Sequence, residues 1–138
     1  MPLVRRGQAE DLHQIAEIQS SSPQAAQWDV ADYLLYDLHV ATCENRITGY
    51  LVTRFLGDSE CEILNIAVAP EYRRKGVGKA LLSELLEGYR GAVLLEVRES
   101  NLTARNLYKS MGFQEIGSRK DYYDSPPETA IVLKFHSC

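Results

Sequence analysis

The chain has 138 residues, 45% of them apolar and 25% charged, and a formal net charge of −4. No apolar run is long enough to cross a membrane, and the acidic balance argues against general nucleic-acid binding. The length favours a single domain over residues 1–138 that buries roughly two-thirds of its unfolded surface. The first six residues lack the long apolar core of a signal peptide, so a cytoplasmic location is the default expectation. Cys43, Cys61 and Cys138 are odd in number and match no zinc or paired-thiol spacing; buried reduced thiols are expected, with Cys138 a frayed terminal residue. His13, His39 and His136 are isolated, and no metal site is expected.

In chain order, residues 3–6 form a strand. Residues 9–20 form an amphipathic helix with Leu12, Ile15, Ala16 and Ile18 near one face, broken by the serines and Pro23 that follow. Asp29 caps a short helix reaching Tyr36, whose apolar contacts are Ala31, Leu34, Leu35 and Leu38. Residues 39–43 and 47–55 read as paired strands around a turn at Glu44, Asn45 and Arg46. Residues 61–68 form the next strand, half-buried through alternating Leu64, Ile66 and Val68, and Pro70 ends it. After Gly78, Leu81, Leu82, Leu85, Leu86 and Tyr89 recur at helical spacing, and Gly88 and Gly91 close the pattern. Residues 93–97 are nearly all apolar and read as a central strand buried on both faces. Ser100 or Asn101 caps a helix with Ala104, Leu107, Tyr108 and Met111 on its face, and Gly112 closes it. Residues 113–122 and 130–135 form two last strands around the turn at 124–128. The result is a mixed α/β chain with a central sheet of six to seven strands and four helices.

Residues 65–80 organise the chain: a strand end, a basic turn with Gly76 and Gly78, and a helix start. A helix N-terminus offers unpaired backbone N–H groups and the positive end of the dipole, and glycine lets the backbone approach an anion. Arg73, Arg74, Lys75 and Lys79 add charge. The nucleotide P-loop does not fit, because one residue separates the glycines and Ala80 follows Lys79. The dinucleotide fingerprint does not fit either, because Leu81 stands where its third glycine belongs. A pyrophosphate cradle and a solvated basic turn both remain open on these residues alone.

Two further residues carry chemistry. Glu96 is a carboxylate in an apolar strand, which is costly unless it is paired or lines a wet cleft. A salt bridge to Arg98 or Arg105 explains it as well as a catalytic role does. Tyr108 sits at helical spacing with Leu107 and Met111, a pattern more often found in a core than in a catalyst.

The run Arg73-Arg74-Lys75-Gly76-Val77-Gly78 resembles the Arg/Gln-x-x-Gly-x-Gly/Ala motif of the GCN5-related N-acetyltransferases. Leu95-Glu96-Val97-Arg98-Glu99-Ser100-Asn101, followed by residues 104–113, is similar to the C-terminal motif of the family's RimI-like branch. Asn65-Ile66-Ala67-Val68 resembles that branch's acetyl-arm strand, and residues 119–123 its Arg-x-x-Tyr-Tyr stretch. The similarity covers residues 45–135 and is densest from 64 to 113.

The resemblance implies the GNAT fold, with a cleft for acetyl-CoA between two splayed strands, and acetyl transfer to a protein N-terminal α-amine, in this branch a ribosomal-protein alanine. Carried over, Glu96 is the general base and Tyr108 the general acid. Ile66, Ala67 and Val68 offer backbone groups to the pantetheine and acetyl arm. Arg73, Arg74, Lys75, Gly76, Val77, Gly78 and Lys79 form the pyrophosphate loop, Asn101 contacts the cofactor arm, and Tyr108 reaches its sulfur. Tyr122 and Tyr123 line the peptide channel.

The branch's aromatic-Pro-Trp sequence is interrupted here, with Gln24 to Gln27 between Pro23 and Trp28. Trp28 is therefore either the substrate-site tryptophan or a core anchor. Other readings are transfer to a small amine or a Lys side chain, and a non-catalytic acyl-CoA-binding module. A pure binder needs neither Glu96 nor Tyr108.

Overall fold

The alternating and helical patterns resolve into one hydrogen-bonded sheet with three α-helices. The computed structural model describes residues 2–124 and 126–137, so Ser125 and the expectation for Cys138 lie outside the described residues. The strands are Leu3–Arg6 (β1), Asp37–Cys43 (β2), Arg46–Phe55 (β3), Glu60–Val68 (β4), Gly91–Arg98 (β5), Gln114–Asp124 (β6) and Pro127–Ser137 (β7). Their order in the sheet is β1-β2-β3-β4-β5-β7-β6. The helices are Leu12–Ser20 (α1), Val77–Glu87 (α2) and Leu102–Ser110 (α3), with 3₁₀ turns at Ala9–Asp11, Val30–Leu35 and Pro70–Tyr72. β4 and β5 run parallel, from Glu60 opposite Ala92 to Ile63 opposite Leu95, while β7 is antiparallel to both β5 and β6. The expected mixed α/β sheet is present, and its fourth helical segment is the 3₁₀ turn Val30–Leu35. By internal contacts the chain divides into two compact units, Met1–Arg54 with Leu64–Tyr89, and Phe55–Ile63 with Arg90–Cys138.

The first unit closes around Ile15, Ile18, Tyr33, Leu38, Val40, Ile47, Tyr50 and Val52. Asp11 starts its helical hairpin: it accepts two hydrogen bonds from Arg5, at 2.8 and 2.9 Å, and one from the Gln8 N–H at 2.8 Å. The Arg5 bonds hold the Asp11 carboxyl below the usual carboxylate range. Gly49 on β3 makes room for α2, because a Cβ there would meet Val77 Cγ1 at 2.9 Å and the Ala67 carbonyl oxygen at 3.0 Å. Val77, Leu81 and Leu82 then bury α2 on the sheet.

Two expectations in this unit change phase. In Val30–Leu35 the inward residue is Tyr33, whereas Leu34 and Leu35 are 45% and 78% exposed. A 3₁₀ turn repeats every three residues, so Val30, Tyr33 and Tyr36 face the core where a 3.6-residue period would have chosen the leucines. Asp29 caps it as expected, accepting from the Ala31 N–H at 3.1 Å. In β4 it is Asn65 and Ala67 that are buried, and Leu64, Ile66 and Val68 that are half-exposed. Asn65 can lie inward because tyrosine hydroxyls meet it there.

The second unit is built on β5. Ala92, Val93, Leu95 and Val97 are buried, but Leu94, Glu96 and Arg98 are half-buried, so β5 has one open face rather than two closed ones. Gly91 has φ 139°, and a Cβ there would collide with the Ser59 carbonyl oxygen. Tyr108, Phe113 and Phe135 stack in sequence, with ring centroids 5.6 and 5.5 Å apart, and anchor α3. Of the two described cysteines, Cys61 is buried as expected, but Cys43 is exposed at the end of β2. Among the described residues no helix is long and apolar enough to cross a membrane, and no group of His, Cys, Asp or Glu is placed to hold a metal ion.

Candidate active site

In the first unit, the start of α2 carries the features expected of an anion site. α2 starts from Gly76, whose φ of 82° and ψ of 10° lie in the left-handed region. A residue with a side chain would be strained there. No side chain caps this helix. The N–H groups of Val77, Gly78 and Lys79 therefore lack intrahelical acceptors, and the Ala80 N–H is the first to close a turn, on the Gly76 carbonyl at 2.9 Å. A Cβ on Gly76 would meet nothing within 4 Å, so the approach to this helix end is open. Arg74 also has a positive φ, 63°. Arg74, Lys75 and Lys79 are exposed, with Lys75 Nζ 5.8 Å from the centre of the Tyr72 ring.

Arg73 departs from the expected cationic set. Its guanidinium donates to the Val68 carbonyl at 3.0 Å, the Ser21 carbonyl at 3.1 Å and the Ser22 hydroxyl at 3.1 Å. Its side chain braces the turn through Nε and Nη2.

The strand leading into the turn presents one edge. The Ala69 N–H bonds the Thr48 carbonyl on β3 at 2.8 Å. By the two-residue alternation, Ile66 and Val68 turn their backbone groups away from β3. Asn65 Oδ1 accepts from the Ile66 N–H at 3.0 Å, and Arg73 holds the Val68 carbonyl. Trp28 is 42% exposed, its ring 6.2 Å from that of Tyr33. The Trp28 carbonyl accepts from Gln19 Nε2 at 2.6 Å.

The second unit supplies a carboxylate end. Glu96, on the open face of β5, lines a cavity of about 190 Å³ with Glu60, Glu62, Leu94, Arg119 and Val132. Its side chain is 19% exposed, and Arg119 Nη1 stands 3.3 Å from Oε2. That oxygen is buried and accepts no well-aligned hydrogen bond, so Arg119 acts as a counter-charge at contact distance. The bases expected beside Glu96 are engaged with other carboxylates. Arg98 pairs with Glu128 at 3.3 Å. Arg105 donates to Glu115 at 2.8 and 3.1 Å. The partner that sequence reasoning missed, Arg119, lies on β6, and only the basic and aromatic run 119–123 hinted at it.

Tyr122 and Tyr123 meet there through a break in the strand. Neighbours on a regular strand point to opposite faces. Here the ladder shifts register between Arg119 and Tyr123, and Asp121 has φ 54°. The two rings consequently meet edge to face, 5.2 Å apart at 81°. Burial first, then the negative charge of Glu96, raises both phenols, Tyr123 to about 12. Tyr108 is 4% exposed, and burial, followed by the proximity of Tyr123, raises its pKa as well. All three hydroxyls are therefore protonated at neutral pH and can supply a proton but not take one up. Asn101 caps α3, its Oδ1 accepting from the Ala104 N–H at 3.2 Å, which leaves its amide NH₂ for a ligand.

Residues 9–113 match the family model described as the acetyltransferase (GNAT) family. A ribosomal protein bS18-alanine N-acetyltransferase of Escherichia coli is 38% identical over 107 residues, 73% of this chain and 70% of that enzyme. A Mycobacterium leprae protein is 41% identical over 104 residues, 72% of this chain, and the match spans 29% of its own length. The crystal structure of the ribosomal-protein-S18-alanine N-acetyltransferase from E. coli superposes with a TM-score of 0.85 at 29% identity, covering 100% of this chain and 96% of that one. The chain belongs to the acetyltransferase (GNAT) family, in its RimI-like branch of N-acetyltransferases.

Proposed function

We propose that the protein transfers the acetyl group of acetyl-CoA directly to the α-amine of a protein N-terminus, with a ribosomal-protein alanine as the first acceptor to test and the cytoplasm as the place of action. The observation that carries this reading is Glu96, a carboxylate on the open face of a core strand that lines a cavity and whose charge reaches the protonated phenols of Tyr122 and Tyr123.

The α2 end fits a diphosphate: its N–H groups are uncapped, Gly76 leaves the approach open, and Arg74, Lys75 and Lys79 are free of the bracing that occupies Arg73. Bound acetyl-CoA supplies an acetyl group already activated as a thioester. The Ile66 carbonyl and the Val68 N–H, which turn away from β3, hold its arm, with the Asn101 amide as a further contact; the backbone groups of Ala67 face β3 instead. The Val68 N–H turns away from β3 and can stabilise the acetyl oxygen as negative charge develops there. Glu96 takes the proton of the attacking amine, directly or through a water. Tyr108 gives a proton or hydrogen bond to the departing sulfur. Trp28, Tyr122 and Tyr123 line the acceptor.

An α-amine suits such a base. Its pKa of about 7.7–8.0 makes the neutral form about 1 kcal/mol away at pH 7, several times less than for a Lys side chain of pKa about 10.4. The test is acetyl-CoA turnover on short peptides beginning with alanine, on the same peptides with a blocked N-terminus, and on polyamines. Turnover is expected on the free N-termini; turnover confined to polyamines overturns the proposal, and binding without turnover replaces it with a non-catalytic module.

A further inference from the structure

The buried side of β4 carries a polar hub that the acetyl-transfer chemistry does not use. Asn65 is 6% exposed. Its Oδ1 accepts from the Ala26 N–H at 3.2 Å, and its Nδ2 donates to the Ala26 carbonyl at 3.0 Å. The carboxamide thus pairs with both backbone groups of one loop residue, as a neighbouring strand would. The same Nδ2 lies 2.8 Å from the Tyr33 hydroxyl and 3.1 Å from the Tyr50 hydroxyl. Tyr33 in turn donates to Gln19 Oε1, while Gln19 Nε2 holds the Trp28 carbonyl. A buried carboxamide left without partners costs more than its hydrogen bonds contribute, so this placement is strongly specified.

We propose that Asn65 is a positioning residue for the acceptor: it fixes the loop of residues 21–28, and with it the indole of Trp28. The loop is also tied locally, with Gln27 Nε2 donating to the Gln19, Ser22 and Ala25 carbonyls and the Ala25 N–H to the Ser22 carbonyl. It contains no regular element, its exposed residues include Pro23, Gln24 and Gln27, and its start is tied by Arg73 to Ser21 and Ser22. Asn65 reaches the loop's middle directly and its end through Tyr33 and Gln19. The inference rests on the proposed placement of Trp28 beside the acceptor.

The chain has a single tryptophan, so its emission reports this loop alone. In Asn65→Ala, Trp28 is expected to become more accessible to acrylamide, and the KM for the acceptor peptide to rise about tenfold while the KM for acetyl-CoA stays unchanged. A merely structural residue would move both constants or neither. Should that variant fail to fold, Ala26→Pro removes the loop N–H that Asn65 accepts, while also fixing φ at that residue, and is expected to show the same split at smaller size. Unchanged Trp28 quenching in a folded variant, or parallel changes in the two KM values, overturns the inference. If the wild-type protein acetylates amines other than N-termini, the proposed function falls, and Trp28 quenching still decides the role of Asn65.

Discussion

Two candidate features of the molecule, one in each unit, are made in different ways. The anion end in the first unit is backbone: an uncapped helix start, a glycine at φ 82° and a few exposed cations. The carboxylate end in the second unit is side chain: Glu96 from β5, Arg119, Tyr122 and Tyr123 from a strand whose register shifts twice. The first depends on consecutive residues. The second depends on strands meeting in one register.

That contrast sets the expected sizes of effects. At the carboxylate end, Glu96→Gln removes the base while keeping the shape, and turnover is expected to fall about a hundredfold or more. The KM for acetyl-CoA should change little; undiminished turnover at neutral pH would remove Glu96 from the mechanism. At the anion end, Arg74→Ala with Lys79→Ala removes two cations, and affinity for CoA is expected to fall about thirtyfold, at about 1 kcal/mol for each exposed charge-assisted contact. Calorimetry showing equal affinity would move the diphosphate elsewhere.

A backbone change at the same end should act more gently. Gly76→Ala has room for its methyl group but must adopt a positive φ. A penalty of about 1 kcal/mol corresponds to an affinity loss of about fivefold, without loss of kcat.

The smallest effect lies outside both ends. Arg5→Ala releases Asp11, and because Arg5 is about half exposed the expected loss is only about 1 kcal/mol in urea unfolding at neutral pH. The folded Asp11 carboxyl lies below its unfolded value of about 3.9, so this contribution is complete above that pH and disappears as pH falls through the folded value. Wild type and variant should converge in acid; a constant difference would mean that packing, not charge, holds the hairpin.

The same contrast explains what was legible in the sequence. Gly76, Gly78, the basic residues and the following leucines announce the anion end because a helix start is a local event. Glu96 could be singled out from its apolar neighbours, but its counter-ion could not. Arg119 comes opposite Ala130 only because the ladder slips earlier, between Glu115 and Gly117, and no periodicity marks such a shift. The 3₁₀ period of Val30–Leu35 misled in the same way, because the residues that fix three per turn, Tyr33 and its hydroxyl partners, are scattered along the chain. Asn65 escaped notice because a polar residue in an alternating strand reads as solvent-facing until the groups opposite it are known. Charge and motif group Arg73 with its neighbours, whereas its Nη2 bonds run to Ser21 and Ser22, far away in sequence.

The most direct measurement is the position of the transferred acetyl group. A peptide bearing one free N-terminal alanine and one internal lysine is incubated with the protein and acetyl-CoA, and the product is fragmented in a mass spectrometer. Acetylation of the α-nitrogen, absent in Glu96→Gln, is the expected result; acetyl on the lysine ε-nitrogen, or equal labelling with and without the Glu96 carboxylate, would contradict it.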